Sequence, residues 1–427
     1  MGSTHRRSFP VELKIFWTTS VGLAALCVLV EIACFCVLHL GYPYNWPFTR
    51  LGEHMIDFDQ FRGKFRAFHR VDFFSTEPMT IFAYPAPVAI LYKLIYLETR
   101  HPFIVFLSII VLGPSIGAAL LWRAAIRLKY SPWTTLAFFA SALAFSYPLL
   151  FEMKQGNVEI FIWALVAIGV VCALSGRGYS AATCFGVAGS MKIFPLVYLG
   201  LLIAKKQYRP VVVGLAVAAL TTVGSLWLLC PDLSIGWHGI RTGMASFLDQ
   251  ITLRVVPREI GFDHSLFSIV KRVWQAIAGH PPARPVMTAY LALAAGSGAL
   301  LFFLKIRRLP SVNQVMCLCI ASILLPPVSY DYTLLHLYVP WALLVVLALR
   351  ENRMGRRTPG LGIALLAMGI LLAPLNEFIH WGVSIGGQIK TVVLIALWTI
   401  AMKYPFELAR GELPGTVEFE ESELMAA

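Results

Sequence analysis

Charge is scarce in this chain. Asp, Glu, Lys and Arg make up 14% of its 427 residues while hydrophobic types make up 58%, against roughly a quarter charged in a soluble globular domain. Long polar stretches are also lacking, so no soluble domain is large enough to stand alone, and neither internal repeats nor low-complexity tracts appear. The apolar runs show no alternation of polar and apolar residues over roughly ten positions, which excludes an outer-membrane barrel. Paired cysteine spacing in a polar loop is missing as well. Cys27, Cys34, Cys36, Cys172, Cys184, Cys230, Cys317 and Cys319 all fall inside or at the edges of apolar runs. Cys34-x-Cys36 and Cys317-x-Cys319 therefore read as small packing residues rather than a metal or redox site.

What is present is a succession of apolar segments. A spanning helix needs roughly 20 mainly apolar residues, and candidates fall at 13–38, 80–97, 103–122, 133–150, 157–175, 180–204, 210–230, 286–304, 312–327, 333–349, 359–375 and 388–404. The expectation is an all-α polytopic membrane protein of about 11–13 transmembrane helices, since lipid leaves no partner for free backbone groups. The first segment, behind Arg6 and Arg7, is too long for a cleaved leader and reads as a signal anchor. One membrane domain over 1–404 is expected, followed by an acidic cytoplasmic tail over 405–427.

The net charge of +12 does not point to nucleic acid. The basic residues sit between apolar segments, as the bias of cytoplasmic loops towards Lys and Arg requires. Arg6, Arg7, Lys305, Arg307, Arg308, the run from Arg350 to Arg357, and Lys403 then mark the inner side, while 39–79 and 231–285 are outer loops. Arg123, Arg127 and Lys129 disagree with that scheme. Either a neighbouring segment is re-entrant, with Pro85 and Pro87 making 80–97 a candidate, or the charge bias fails locally.

Three polar constellations stand out. The 39–79 loop carries Asp57 and Asp59 among phenylalanines, with Arg62, Lys64 and Arg66 close behind. It reads as a helical segment on the membrane surface, and its basic cluster suits a lipid phosphate. Most of its acids and bases would simply pair with one another. Glu152 to Asn157, including Gln155, joins two apolar segments, and Lys192-Ile193-Phe194-Pro195 interrupts another. A lysine at membrane depth is costly unless paired, which favours function. Snorkelling to the interface is the plain alternative. Near the carboxyl end, Ser329-Tyr330-Asp331-Tyr332 and His336 follow two prolines, and Asp263-His264-Ser265-Leu266 lies in the other outer loop. Two prolines force irregular backbone there, as in the lining of a polar cavity.

The order of these elements resembles a known family. Asp57-Phe58-x-x-Phe61 after the first helix, Tyr84-Pro85-x-Pro87, Gln155-Gly156-Asn157, Lys192-Ile193-Phe194-Pro195, His264-Ser265-Leu266 and Pro327-x-Ser329 with His336 follow one another as in the GT87 family. These are polyprenol-phosphate-dependent glycosyltransferases of the DUF2029 group, which includes bacterial mannosyltransferases, with the GT-C fold. The lysine motif is also similar to the Lys-Ile-Tyr-Pro of glycosylphosphatidylinositol mannosyltransferases. The resemblance covers roughly 10–350. This chain departs from the commoner family form, having a single His336 and Tyr330-Asp331-Tyr332 in place of Ser-Trp and paired histidines.

The resemblance implies transfer of a sugar, mannose as the first guess, from a polyprenyl-phosphate carrier to a glycolipid or glycan acceptor hydroxyl. Anomeric inversion and an active site on the outer face of the cytoplasmic membrane go with it. Asp57 matches the family's general base, with Asp59 as the fallback. Arg62, Lys64, Arg258, Lys192 and His336 are the candidates to meet the departing phosphate. Tyr84, Gln155, Asn157, His264, Ser265 and Asp331 are candidate substrate contacts. No cofactor is called for; because the leaving phosphate stays on its lipid, cationic side chains can replace a metal ion. Two other readings share these features. One is a flippase of lipid-linked sugars, although the two related halves common in transporters are not seen; the other is a polymerase or ligase using a diphosphate carrier.

Overall fold

The structure, a computed structural model, describes residues 9–38, 57, 69, 84–97, 101–255, 260–374 and 386–408. Among the described residues there are helices and no β-strand. Asp59, Arg62, Lys64, Arg258, nearly all of the 39–79 loop and the tail beyond residue 408 lie outside them.

In chain order the helices are α1 (Val11–Leu38), α2 (Ala86–Leu97), α3 (Pro102–Arg127), α4 (Pro132–Ala144), α5 (Tyr147–Gln155), α6 (Glu159–Leu174) and α7 (Gly178–Met191). A 3-10 turn, Phe194–Leu199, runs into α8 (Gly200–Ala204), followed by α9 (Tyr208–Leu229), α10 (Leu233–Phe247), α11 (Leu266–Ala278), α12 (Arg284–Leu304) and α13 (Ser311–Leu324). A second 3-10 segment, Asp331–Leu337, leads into α14 (Tyr338–Met354), then α15 (Leu361–Leu371) and α16 (Gly386–Lys403).

Among the described residues, five helices are long and apolar enough to cross a membrane, within Val11–Val30, Ile104–Arg127, Tyr208–Leu229, Arg284–Arg308 and Asp331–Met354. The pair α4 and α5 makes a sixth, bent by 52°. The other apolar helices are shorter than the sequence runs suggested. Two of the breaks, before α6 at Asn157 and after α13 at Ser329, hold buried polar side chains, the setting in which irregular backbone is tolerated at membrane depth.

The bundle has two chemically distinct ends. At one, basic turns are stitched together: Arg353 Nη1 donates to Arg127 O at 2.8 Å and Asn352 to Tyr130 Oη at 2.7 Å. There too, Asn313 donates to the carbonyls of Ala401 and Tyr404 at 2.6 and 2.7 Å, and Lys205 reaches Ala173 O. The other end gathers Asp57, Tyr84, Asn157, Lys192 and His336.

These ends decide one alternative left open by the sequence and correct one expectation about the path of the chain. Segment 80–97 does not cross. Tyr84 is at the polar end, and α3 also begins there, since Phe106 packs on Phe161 of the first turns of α6 with ring centroids 5.6 Å apart. The last residue of α3, Arg127, is at the basic end. At about 1.5 Å per residue, the 12 residues of α2 reach only part of the way through a hydrocarbon layer of roughly 30 Å. Segment 180–204 is not one span but a hairpin. Lys192 takes extended backbone (φ −145°, ψ 140°), Phe185 and Tyr198 stack across the two arms at 5.6 Å, and Gly178 and Gln207 meet at the base. The start of α1, beside Gly362, and the end of α16, beside Gly360, lie at the same end. With α2 held at the polar end, Arg127 joins the other basic turns, with Lys129 two residues on, and the charge bias is restored.

Small residues set the closest helix contact. A Cβ on Gly186 of α7 would meet the carbonyl of Gly214 on α9, the close backbone approach that small residues allow between membrane helices.

Candidate active site

Asn157 organises the polar end. Gly156 ends α5 in the left-handed region (φ 64°), a conformation that costs glycine little. Asn157 Oδ1 then accepts the amide of Glu159 at 3.2 Å, an Asx turn that starts α6. Its Nδ2 faces the other way and donates to Asp57 Oδ2 and to Tyr84 Oη, both at 2.8 Å. The carbonyl of Gly156 accepts from Tyr92 Oη of α2 at 3.5 Å. One turn between two helices thus holds Asp57, Tyr84 and Tyr92 together.

Lys192, at the tip of the α7–α8 hairpin, donates to Asn157 Oδ1 at 3.3 Å and pairs with Glu159 Oε2. Its ammonium lies 5.0 Å from the centroid of the Tyr332 ring, a favourable cation–π distance. Glu159 Oε1 lies 2.7 Å from His336 Nε2. A carboxylate can only accept, so Nε2 carries the hydrogen. His336 Nδ1 is buried with no hydrogen-bond partner. Glu159, at the first position of α6, is therefore the common counterion of Lys192 and His336 and also gains from the positive helix start.

Asp57 is half-buried. Burial pushes its carboxyl above the ordinary value of 3.8, while the Asn157 hydrogen bond and the Lys192 charge pull it part of the way back. A carboxyl raised in this way is a better proton acceptor than one in water.

Of the residues singled out from sequence, Asp57, Tyr84, Asn157, Lys192 and His336 come together. Gln155 is half-buried at the end of α5. His264, Ser265 and Asp331 form a second, fully buried cluster instead. Asp331 Oδ1 accepts from Lys390 of α16 at 2.7 Å and lies 3.6 Å from His264 Nδ1. His264 Nε2 lies 3.1 Å from both Ser329 Oγ and Thr333 Oγ1. Asp263 pairs with Lys271 at 2.9 Å and accepts the backbone amides of Ser265 and Ser329 at 3.0 and 3.1 Å. Ser265 Oγ caps α11 through the amide of Ser268. The two clusters meet along the 3-10 segment: Asp331 and Thr333 bond to the second cluster, while Tyr332 and His336 serve the first.

Sequence reading missed Glu159 and Lys390, and named Glu152 only as the start of a polar turn. The signal was the unpaired charge itself, because a lysine and a carboxylate inside apolar segments each call for a partner. Nothing in sequence spacing says that Lys192 meets Glu159, or that Lys390 meets Asp331.

Fold and site together define a multi-pass helical membrane protein with a buried, charge-paired cluster at one end. The sequence profile of glycosyltransferase family 87 matches residues 82–329, more than half of the chain. The chain belongs to that family, and is a membrane glycosyltransferase. No curated protein and no solved structure matches it.

Proposed function

We propose that this glycosyltransferase moves a hexose, mannose as the first candidate, from a polyprenyl-phosphate carrier to a hydroxyl of a lipid or glycan acceptor, with inversion. The observation that carries this reading is the single Asn157 amide. Its nitrogen holds Asp57 and its oxygen meets Lys192, so a proton acceptor and a cation stand on opposite sides of one fixed group.

Asp57 Oδ2 is engaged by Asn157, and Oδ1 takes the acceptor proton. The acceptor oxygen attacks the anomeric carbon from the face opposite the phosphate, and the bond from that carbon to the phosphate oxygen breaks with its electron pair. The phosphate departs on its lipid with added negative charge. Lys192 has three N–H donors and uses two on Glu159 and Asn157, so the third meets the phosphate. His336, donating its Nε2–H to the same Glu159, holds the counterion of Lys192 in place. Arg62, Lys64 and Arg258 are further candidates for the phosphate, and Asp59 is the alternative base. The polar end then faces the outer side of the cytoplasmic membrane, opposite the basic turns.

The test is Asp57→Asn in purified protein reconstituted into liposomes with a polyprenyl-phosphate hexose and candidate acceptors. Lost transfer with retained carrier binding is the expected result. Unchanged transfer removes Asp57 as the base. Movement of the carrier across the bilayer without transfer by the wild type favours the flippase.

A further inference from the structure

Glu152 of α5 is fully buried, and neither of its carboxyl oxygens has a hydrogen-bond partner. The amide of Ile160, in the first turn of α6, faces it without closing a bond. An enclosed carboxyl left without donors is costly and normally absent from a fold. Here it belongs to the polar end of the bundle, where it feels the charges of Asp57, Glu159 and Lys192 and acts in turn on the hydroxyls of Tyr84 and Tyr92. The other carboxylates of that cluster are satisfied: Asp57 by Asn157, Glu159 by Lys192 and His336. Its helix neighbour Phe151 stacks on Tyr332, over which Lys192 is held.

In the proposed reaction the sugar ring lies between the base and the phosphate cations, since its anomeric carbon is attacked from one side and released on the other. Glu152 lies in the last turn of α5, its carbonyl accepting the Gly156 amide just before Asn157, and its neighbour Phe151 packs on Tyr332, which places it in the wall beside that ring. Two free carboxyl oxygens match two adjacent hydroxyl groups, each of which brings one O–H donor. We propose that Glu152 is a specificity-determining residue whose carboxyl oxygens receive a pair of hydroxyl groups of the carrier-linked sugar. This rests on the reading of the donor as a sugar on a lipid phosphate. The Asp57 and Tyr84 side chains that stand nearby hang on the same Asn157 nitrogen, so a hydroxyl that competes for this donor loosens both.

The experiment compares equilibrium binding of two probes to purified full-length protein in detergent: a polyprenyl-phosphate hexose and the same polyprenyl phosphate without sugar. Wild type is expected to bind the sugar-bearing probe more tightly. Glu152→Gln keeps the shape of the side chain and replaces one acceptor with a donor. It should weaken the sugar-bearing probe by about tenfold, as for a lost hydrogen bond that leaves a buried group unsatisfied, and leave the sugar-free probe unchanged. Glu152→Asp, which keeps the carboxyl but draws it back, should show the same selective loss and serves if the Gln variant does not fold. Equal weakening of both probes, or no weakening of either, overturns the assignment while the donor reading survives. A wild type that does not distinguish the two probes overturns the donor reading, and this proposal with it.

Discussion

Asn157 Nδ2 lies 2.8 Å from Asp57 Oδ2, a bond between residues 100 positions apart that fixes Asp57 to the turn between α5 and α6. The same amide oxygen accepts from Lys192 and from the Glu159 backbone. Changing this one side chain disturbs base, cation and helix start together.

Asn157→Ala is therefore expected to lower kcat for sugar transfer by about 10- to 100-fold, within the range attributed to positioning and general base catalysis. Steady-state kinetics on folded protein check this, and a kcat within a factor of two of wild type would show that Asp57 does not depend on Asn157.

The pH dependence has a defined sign. A base must be ionised to accept a proton, so activity should fall as pH drops through the Asp57 pKa, and burial sets that limb above the ordinary carboxylate value of 3.8. Lys192 lowers the Asp57 pKa; Lys192→Gln should therefore shift the acid limb to higher pH as well as reduce kcat. A limb that moved to lower pH, or stayed in place, would separate the two residues electrostatically.

Lys390 and Asp331 form a buried pair with side chains at 0% exposure. Lys390→Met leaves a buried carboxylate without its cation, and a loss of about 3–5 kcal/mol is expected. The double variant Asp331→Leu with Lys390→Leu removes both charges and should recover part of that loss. Thermal unfolding in detergent compares the two, and a double variant less stable than the single would contradict the pairing.

Glycines of α7 and α9 should differ in tolerance. Gly186→Ala forces a Cβ against the Gly214 carbonyl and should destabilise by about 1–3 kcal/mol, as overpacking does. Gly224, with nothing within 4 Å of a built Cβ, should accept alanine with a gain of about 0.5–1 kcal/mol from its helix position. Equal Tm changes for the two variants would remove the close approach of α7 to α9.

The apolar runs by themselves determined that the chain is a helical membrane protein, because composition and run length need no knowledge of neighbours. Motif order likewise brought Asp57, Tyr84, Asn157, Lys192 and His336 forward as chemistry-bearing residues before any contact was known. Tertiary structure decided which apolar runs pass through the bundle. Helix α2 stays at the polar end and 180–204 folds at Lys192, since hydropathy counts apolar residues but carries no information on direction. It also decided the partners. Lys192 and His336 share Glu159, whereas His264, Ser265 and Asp331 join Lys390 in a separate buried cluster. Charge pairing at membrane depth is a long-range choice, made by where helices converge and not by spacing along the chain.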